Sequence, residues 1–261
     1  LHQTALEIVL PRDASRFLAQ AQTVLTSRSI PEKQQALELL AKAASPKADV
    51  MLQSYAEQLV ANTCPPQLQL DVIEALRTRS GANQALAAVV KTYAATPAAA
   101  AYRELEAGGD PDLGRTTIQT NLASSCLSCH AITAKGGSEV GPNLSTIGAH
   151  RDAAYLVESL VMPSAKVAAG YGVVSATLND GSNVTGTLAT ETPGEITIRL
   201  FDGNRRTINR SGIKEQTAPI SVMPPMLGVL QPREIRNVVA YLSSLTGRKP
   251  ATPATKGEDN P

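Results

Sequence analysis

Five consecutive residues of the chain have types and a spacing that could do redox chemistry: Cys126-Leu127-Ser128-Cys129-His130. Two cysteines separated by two residues and followed at once by a histidine form the pattern C-x-x-C-H, by which c-type haem is attached. On one helical turn the two thiols can reach the two vinyl groups of a porphyrin, and the adjacent imidazole can bind the iron. We therefore predict one covalently bound haem c on Cys126 and Cys129, with His130 as an axial ligand.

The two cysteines of the motif have two other interpretations, a thioredoxin-like redox pair and half of a zinc site. A thioredoxin-like motif belongs to a βαβ context, and no such pattern precedes this one. A zinc site needs a second pair of ligands, and Cys64 with His150 is a poor one. Cys64 lies at a predicted helix junction without a nearby Cys or His, which favours a small buried residue over a ligand. The haem interpretation is therefore preferred.

The second axial ligand must come from a loop on the opposite side of the haem. The segment Ser221-Val222-Met223-Pro224-Pro225 fits this requirement, because its two prolines stiffen the chain in an extended form and keep it out of the final helix. We predict Met223 as this ligand, with Met226 as the alternative. Met162 directly follows a predicted helix, which is typical of a packing residue. A lone histidine such as His150 is more often a surface or core residue.

The residues before the motif have the pattern of a stack of helices. Apolar residues recur at intervals of three and four, as in Leu18, Ala21 and Leu25, which is the stripe of a helix packed on one side. Signals for the end of one helix and the start of the next recur every 17 residues, at Pro31, Ala48, Pro65 and Ala82. This interval indicates an α-solenoid of helical hairpins over residues 1–107. The stretch 65–76 resembles a HEAT-type repeat helix, so this segment is either a docking surface or a spacer.

Between the two ligand loops the pattern changes to β-structure. Two pairs of runs rich in β-branched residues flank the turns Asn179-Asp180-Gly181-Ser182 and Asp202-Gly203-Asn204. An Asp-Gly turn between alternating residues is a strong hairpin signal. The sequence therefore predicts four short antiparallel strands, inserted at about residues 171–213. This insertion is either a lid over one haem edge or a docking face whose positive charge comes from Arg199, Arg205, Arg206 and Arg210.

Residues 108–247 resemble the Pirellula/Verrucomicrobium-type haem-binding domain of the cytochrome c family. The segments that carry the resemblance are Cys126 to His130, Gly141-Pro142-Asn143-Leu144, Gly148 to Tyr171, Asp180-Gly181, Ser221-Val222-Met223-Pro224 and Val239-Ala240-Tyr241-Leu242. It implies that a helix near 112–122 crosses a final helix near 230–245, and that Met223 corresponds to the family's S-x-M-P pattern. The resemblance further implies that a loop carbonyl accepts the N–H of the axial imidazole. The implied haem contacts are Pro142, Asn143, Leu144 and Tyr241.

The predicted fold class is mainly α, with three regions along the chain. A HEAT-like segment over 1–107 precedes a cytochrome c-like domain with the β insertion over 108–249, and a flexible tail covers 250–261. In the family such a domain commonly follows helical repeats and a dehydrogenase, which implies a dehydrogenase as electron donor. We therefore expect a one-haem electron-transfer protein and no enzyme. A haem enzyme with a displaceable sixth ligand and a protein-binding scaffold remain the alternatives.

The composition limits other functions. Of the 261 residues 43% are hydrophobic, enough to bury a core, and a net charge of +1 gives no case for binding nucleic acid. No apolar run is as long as a membrane-spanning helix, which needs about 18 residues. The odd number of cysteines, three, argues against a disulfide framework. The chain begins with Leu1, which we interpret as a processed product or a piece of a longer protein. Thioether attachment of haem takes place outside the cytoplasm, so we expect a periplasmic or otherwise exported bacterial protein.

Overall fold

The computed structural model of the chain describes residues 14–27, 29–43, 45–133 and 140–247. The predicted tail over 250–261 lies outside the described residues, and so does the beginning of the predicted helical segment, before residue 14.

The first part of the described chain is helical. Its helices are α1 (Ala14–Ser27), α2 (Ile30–Lys42), α3 (Pro46–Val60), α4 (Gln69–Ser80), α5 (Gln84–Ala94) and the short α6 (Pro97–Ala100). Proline occupies the first turn of α2 and α3, where no backbone N–H is needed. Asn83 caps α5 by accepting the N–H groups of Ala85 and Leu86. These helices bury one apolar cluster, in which α4 contacts α2, α3 and α5.

Three more helices follow, well separated along the chain: α7 (Pro111–Thr120), α8 (Ala153–Val161) and α9 (Pro232–Ser244). α7 and α9 are in close contact because glycine on α7 lets the two backbones approach. A Cβ atom at Gly114 would lie 2.0 Å from the carbonyl oxygen of Asn237, and one at Gly109, just before α7, would lie 2.3 Å from that of Arg236. The two helices are those predicted near 112–122 and 230–245.

The β insertion is a five-stranded antiparallel sheet with the strand order β4-β3-β2-β1-β5. The strands are β1 (Val173–Leu178), β2 (Asn183–Glu191), β3 (Glu195–Arg199), β4 (Arg205–Asn209) and β5 (Ile213–Gln216). The two Asp-Gly turns join the strands as predicted, and Gly181 and Gly203 have positive φ in them. The sequence predicted four strands and missed β5, which reads Ile-Lys-Glu-Gln and has no alternation of apolar and polar residues. β5 forms because it pairs with the edge of β1.

The described residues bury three apolar clusters: one in the α1–α5 helices, one in the sheet, and one around α7, α8 and α9. The third cluster includes Leu70 of α4 and Leu105, which come from the first part of the chain. α9 therefore packs on the first part of the chain as well as on α7 and α8. Among the described residues no helix is both long enough and apolar enough to cross a membrane.

Candidate cofactor site

The C-x-x-C-H motif lies on a tight turn directly after α7. Cys126–Ser128 form one turn of 3-10 helix, and the N–H of His130 donates to the carbonyl oxygen of Cys126 at 3.0 Å. Ser125, just before the turn, has a φ of 43°, which is strained for a residue other than glycine. The turn leaves both cysteines as free, half-buried thiols, and both line the same cavity as His130.

The imidazole of His130 is oriented by the backbone of Pro142. Its Nδ1 atom lies 2.8 Å from the Pro142 carbonyl oxygen. A carbonyl oxygen only accepts hydrogen bonds, so Nδ1 carries the proton in this contact. In the neutral ring the lone pair is then on Nε2, the nitrogen that would bind a metal, and the contact with the carbonyl fixes this tautomer and the direction of the ring.

The segment Gly141-Pro142-Asn143-Leu144 is tied to the residues after His130 by its own backbone and side chains. The N–H of Leu144 donates to the Ala131 carbonyl oxygen at 2.7 Å, and Nδ2 of Asn143 donates to that of Thr133 at 2.9 Å. Gly141 is needed for the close approach, because a Cβ there would lie 2.8 Å from Cε1 of His130. Pro142 and Leu144 line the cavity. Asn143 does not line it, but its hydrogen bond to Thr133 holds the loop in place.

The cavity has a volume of about 380 Å³. Besides His130 and the two cysteines, it is lined mainly by apolar side chains from α7, α8, α9 and the connecting loops, including Ile118, Ile132, Leu156, Leu160, Val238 and Leu242. A mainly apolar cavity with a few convergent polar groups is typical of a cofactor site. The arrangement places two thiols and one imidazole together at the wall of a mainly apolar cavity.

The structure brings both candidate methionines to this cavity. Met226 is 2% exposed and belongs to the apolar cluster of α7–α9; its N–H donates to the Leu160 carbonyl oxygen at 2.8 Å. Met223 is half-buried and lies outside any helix. Its N–H donates to Oγ of Ser221 at 3.1 Å. Met162 is 41% exposed and is not a lining residue, whereas His150 does line the cavity.

The charged groups at the cavity were missed by the sequence reasoning. Arg151 and Lys166 line it, and no Asp or Glu is found among its described lining residues. The Arg151 guanidinium lies 4.6 Å from the ring centroid of Tyr155, and Nζ of Lys166 lies 2.8 Å from Glu158. The positive charge that faces the cavity therefore comes mainly from Arg151, since Lys166 is paired with a carboxylate outside the lining. The signal that could have found it was the pair of cations flanking α8, within the stretch that carries the family resemblance.

Two of the implied haem contacts, Asn143 and Tyr241, are not lining residues, and Cys64, predicted as a small buried residue and not a ligand, lies away from the cavity. Tyr241 is not a lining residue, and its Cβ faces Gly114 at the contact between α7 and α9. Cys64 is 3% exposed in the cluster of the first helices, where burial raises the pKa of its thiol to about 11. Within the described residues no group of three or more His, Cys, Asp or Glu side chains could hold a metal ion.

The donor set at the cavity fits a haem attached through two thiols. It comprises Cys126 and Cys129, the imidazole of His130 oriented for coordination through Nε2, and three possible second ligands: Met223, Met226 and His150. No family model matches the chain, and no curated protein matches it either.

Proposed function

We propose that the chain is a mono-haem c-type cytochrome that transfers single electrons. The observation that carries this proposal is the meeting of Cys126, Cys129, His130 and Met223 at one mainly apolar cavity. The sequence motif alone would allow other uses of the two cysteines, but the same cavity also holds an imidazole whose Nδ1 is already engaged by a carbonyl oxygen.

Each residue has one task in this proposal. Cys126 and Cys129 would hold the haem by two thioether bonds, each formed when a thiol S–H adds across a vinyl C=C of the porphyrin, and His130 would bind the iron through Nε2 while Pro142 holds its ring in place. Haem c, when bound, supplies a one-electron Fe(III)/Fe(II) couple. The apolar side chains of the cavity would exclude water from this couple, and two protein ligands, His130 and Met223, would leave no coordination position for a substrate. The protein is therefore an electron carrier in this proposal and not an enzyme.

Met223 is the proposed second axial ligand. It lies in a short loop before two prolines, is half-buried, and is outside the fully buried core. Met226 fits a packing role better, because it is nearly inaccessible and its backbone is bonded to α8 through Leu160. A thioether ligand stabilises ferrous iron, which supports a relatively high reduction potential.

We also infer the finer architecture that the helices and sheet allow. Residues 1–107 form HEAT-like helical hairpins, and residues 108–249 form a cytochrome c-like domain with the sheet as an insertion. The close contact of α7 with α9, before and after the insertion, supports this assignment. The proposed electron donor is a dehydrogenase, either a partner or an upstream domain, and the proposed location is the periplasm or another exported site.

The direct test is covalent haem attachment. The chain is expressed with an export signal in a host that has the haem-ligation machinery, then denatured and extracted with acid acetone. We expect haem to stay on the chain and the intact mass to rise by one haem. Cys126→Ala and Cys129→Ala should each weaken attachment, whereas Cys64→Ala, at the buried cysteine, should leave it unchanged. Fully extractable haem, or bound zinc without a c-type absorption band, would refute the proposal.

A further inference from the structure

The loop that carries both methionines is held at several points along its length. We call residues 221–231 the methionine loop. At its start the N–H of Ser221 donates to Oγ of Ser164 at 3.1 Å, and in its middle the N–H of Met226 donates to Leu160. The loop then continues directly into α9. The position of its last residues is therefore set by the first turn of that helix.

Arg233, in this first turn, is bound by three carboxylates from the first part of the chain. Its Nε lies 2.6 Å from Glu74, its Nη1 lies 2.7 Å from Glu38, and its Nη2 lies 3.4 Å from Asp71. Glu38 belongs to α2, and Asp71 and Glu74 belong to α4. Each nitrogen of the planar guanidinium therefore has its own acidic partner, which fixes the direction of the side chain as well as its position.

A second arginine on the same face of α9 strengthens this contact. Nη1 of Arg236 lies 2.6 Å from Oδ2 of Asp71, and the two side chains are 5% and 0% exposed. A buried charge is strongly unfavourable without its partner, so each of these residues depends on the other. Residues at i and i+3 lie on one face of a helix, so Arg233 and Arg236 anchor α9 to α2 and α4 along one line.

The rest of α9 forms part of the cavity wall. Val238 and Leu242 line the cavity, and Ile235 and Val239 belong to the apolar cluster beneath it. The anchored helix therefore connects the carboxylates of the first part of the chain to both the wall of the site and the loop of the proposed ligand.

We propose that Glu38, Asp71 and Glu74 are positioning residues for the methionine ligand. They hold Arg233 and Arg236, and thereby fix the end of the methionine loop and one wall of the cavity. The helical segment is then a working part of the haem site and not a spacer. The role in ligation rests on the proposed function, but the role in fixing the loop is a property of the chain itself.

The test compares Glu38→Gln/Glu74→Gln in the full haem-loaded chain with the unaltered protein. Both glutamates are partly exposed, so this variant should fold. The first readout is the binding of imidazole to the ferric protein, which competes with the methionine. The second is hydrogen–deuterium exchange of residues 221–231. We expect imidazole to bind about tenfold more tightly, equivalent to about 1.4 kcal/mol, and exchange in the loop to be faster. Arg233→Gln, which removes the arginine instead, should give the same two changes.

Asp49→Asn is the matched control. Asp49 forms an ion pair with Arg79 at 2.8 Å inside the first helices and has no ion pair with α9. It should therefore weaken the helical segment without altering imidazole binding or loop exchange. The inference is overturned if the glutamate variant leaves both readouts unchanged, or if Asp49→Asn changes them as much. Failure of haem attachment would instead count against the proposed function, and the exchange measurement would still test the positioning of the loop.

Discussion

Nδ1 of His130 lies 2.8 Å from the carbonyl oxygen of Pro142, and the same imidazole rests on the backbone of Gly141. The hydrogen bond and the close approach depend on each other, because the carbonyl can reach the ring only while residue 141 has no side chain. The orientation of the proposed iron ligand is therefore set by a loop that begins eleven residues after it.

Gly141→Ala is expected to disturb this arrangement. The added Cβ would lie 2.8 Å from Cε1 of His130 and 2.9 Å from the Cys129 carbonyl oxygen, so the loop must move. We expect a loss of about 1–3 kcal/mol of stability, as in other overpacked sites, measured by urea unfolding. Gly81→Ala is the control, since a Cβ at Gly81 meets nothing within 4 Å, and it should stay within about 0.5 kcal/mol. Equal effects of the two changes would contradict the role assigned to Gly141.

Replacing each methionine by alanine should have a different main effect: on the iron ligation for Met223, and on the stability for Met226. Met223→Ala should convert a low-spin ferric spectrum into a high-spin one and lower the reduction potential, because it removes the thioether ligand. Met226→Ala should keep the low-spin spectrum but reduce the stability by about 2–5 kcal/mol, because it empties a buried core position. Absorption spectra, redox titration and urea unfolding check both results. A reversed pair of spectra would make Met226 the ligand.

Local patterns predicted most of the helices and hairpins, and the C-x-x-C-H spacing predicted that two thiols and one imidazole lie on one turn. The restarts at Pro31 and Ala48 lie within two residues of the starts of α2 and α3, because proline and capping residues act on their own helix turn. The Asp-Gly hairpins and the C-x-x-C-H turn are equally local. β5 could not be predicted, since its four residues have no β pattern and depend on β1 for pairing.

The contacts that depend on tertiary packing left no signal in the sequence. Arg233 and Glu38 are 195 residues apart, and each alone resembles an ordinary exposed charge on a helix. Tyr241 was expected at the haem because of the resemblance, but the side of α9 that meets α7 is decided by the close packing at Gly114. Such placements follow from how the helices pack and not from the pattern within one helix.

Thiol reactivity gives a test that does not depend on the spectrum. Burial raises the pKa of Cys64 to about 11, so almost none of it is thiolate, the reactive form, at pH about 8. The native haem-loaded protein should therefore show no thiol that reacts rapidly with an aromatic disulfide reagent, and the denatured protein should show one. Two further thiols after denaturation would mean that Cys126 and Cys129 carry no haem.

Acid should weaken the first helices through Asp49. The hydrogen bond from Arg79 is the main cause that holds the pKa of Asp49 below its ordinary value, against the opposing effect of burial, and a hydrogen bond from Asn83 lowers the pKa further. A carboxyl whose pKa is lowered in the folded state stabilises the protein above its unfolded pKa and loses that contribution as the pH falls through the folded value. Between pH about 5 and about 2.5, Asp49→Asn should therefore show a smaller drop in its urea midpoint than the unaltered chain. Parallel curves for the two proteins would exclude this ion pair as a source of acid sensitivity.

The docking-face interpretation of the sheet leads to a final prediction. Arg210 contacts Glu191 and donates to the Thr192 carbonyl oxygen, so it serves the sheet itself, whereas Arg205 and Arg206 of β4 are exposed.

Reversing both charges, in Arg205→Glu/Arg206→Glu, should slow reduction of the haem-loaded protein by an acidic flavoprotein used as a test donor. It should also flatten the ionic-strength dependence of the rate, since electrostatic steering acts on the encounter and is screened by salt. The reduction potential should stay the same. Lys47→Glu/Lys91→Glu makes the same change in net charge at exposed positions of the first helices and should have a much smaller effect on the rate. If the β4 variant instead reacts as fast as the unaltered protein at low salt, the sheet is a lid and not the docking face.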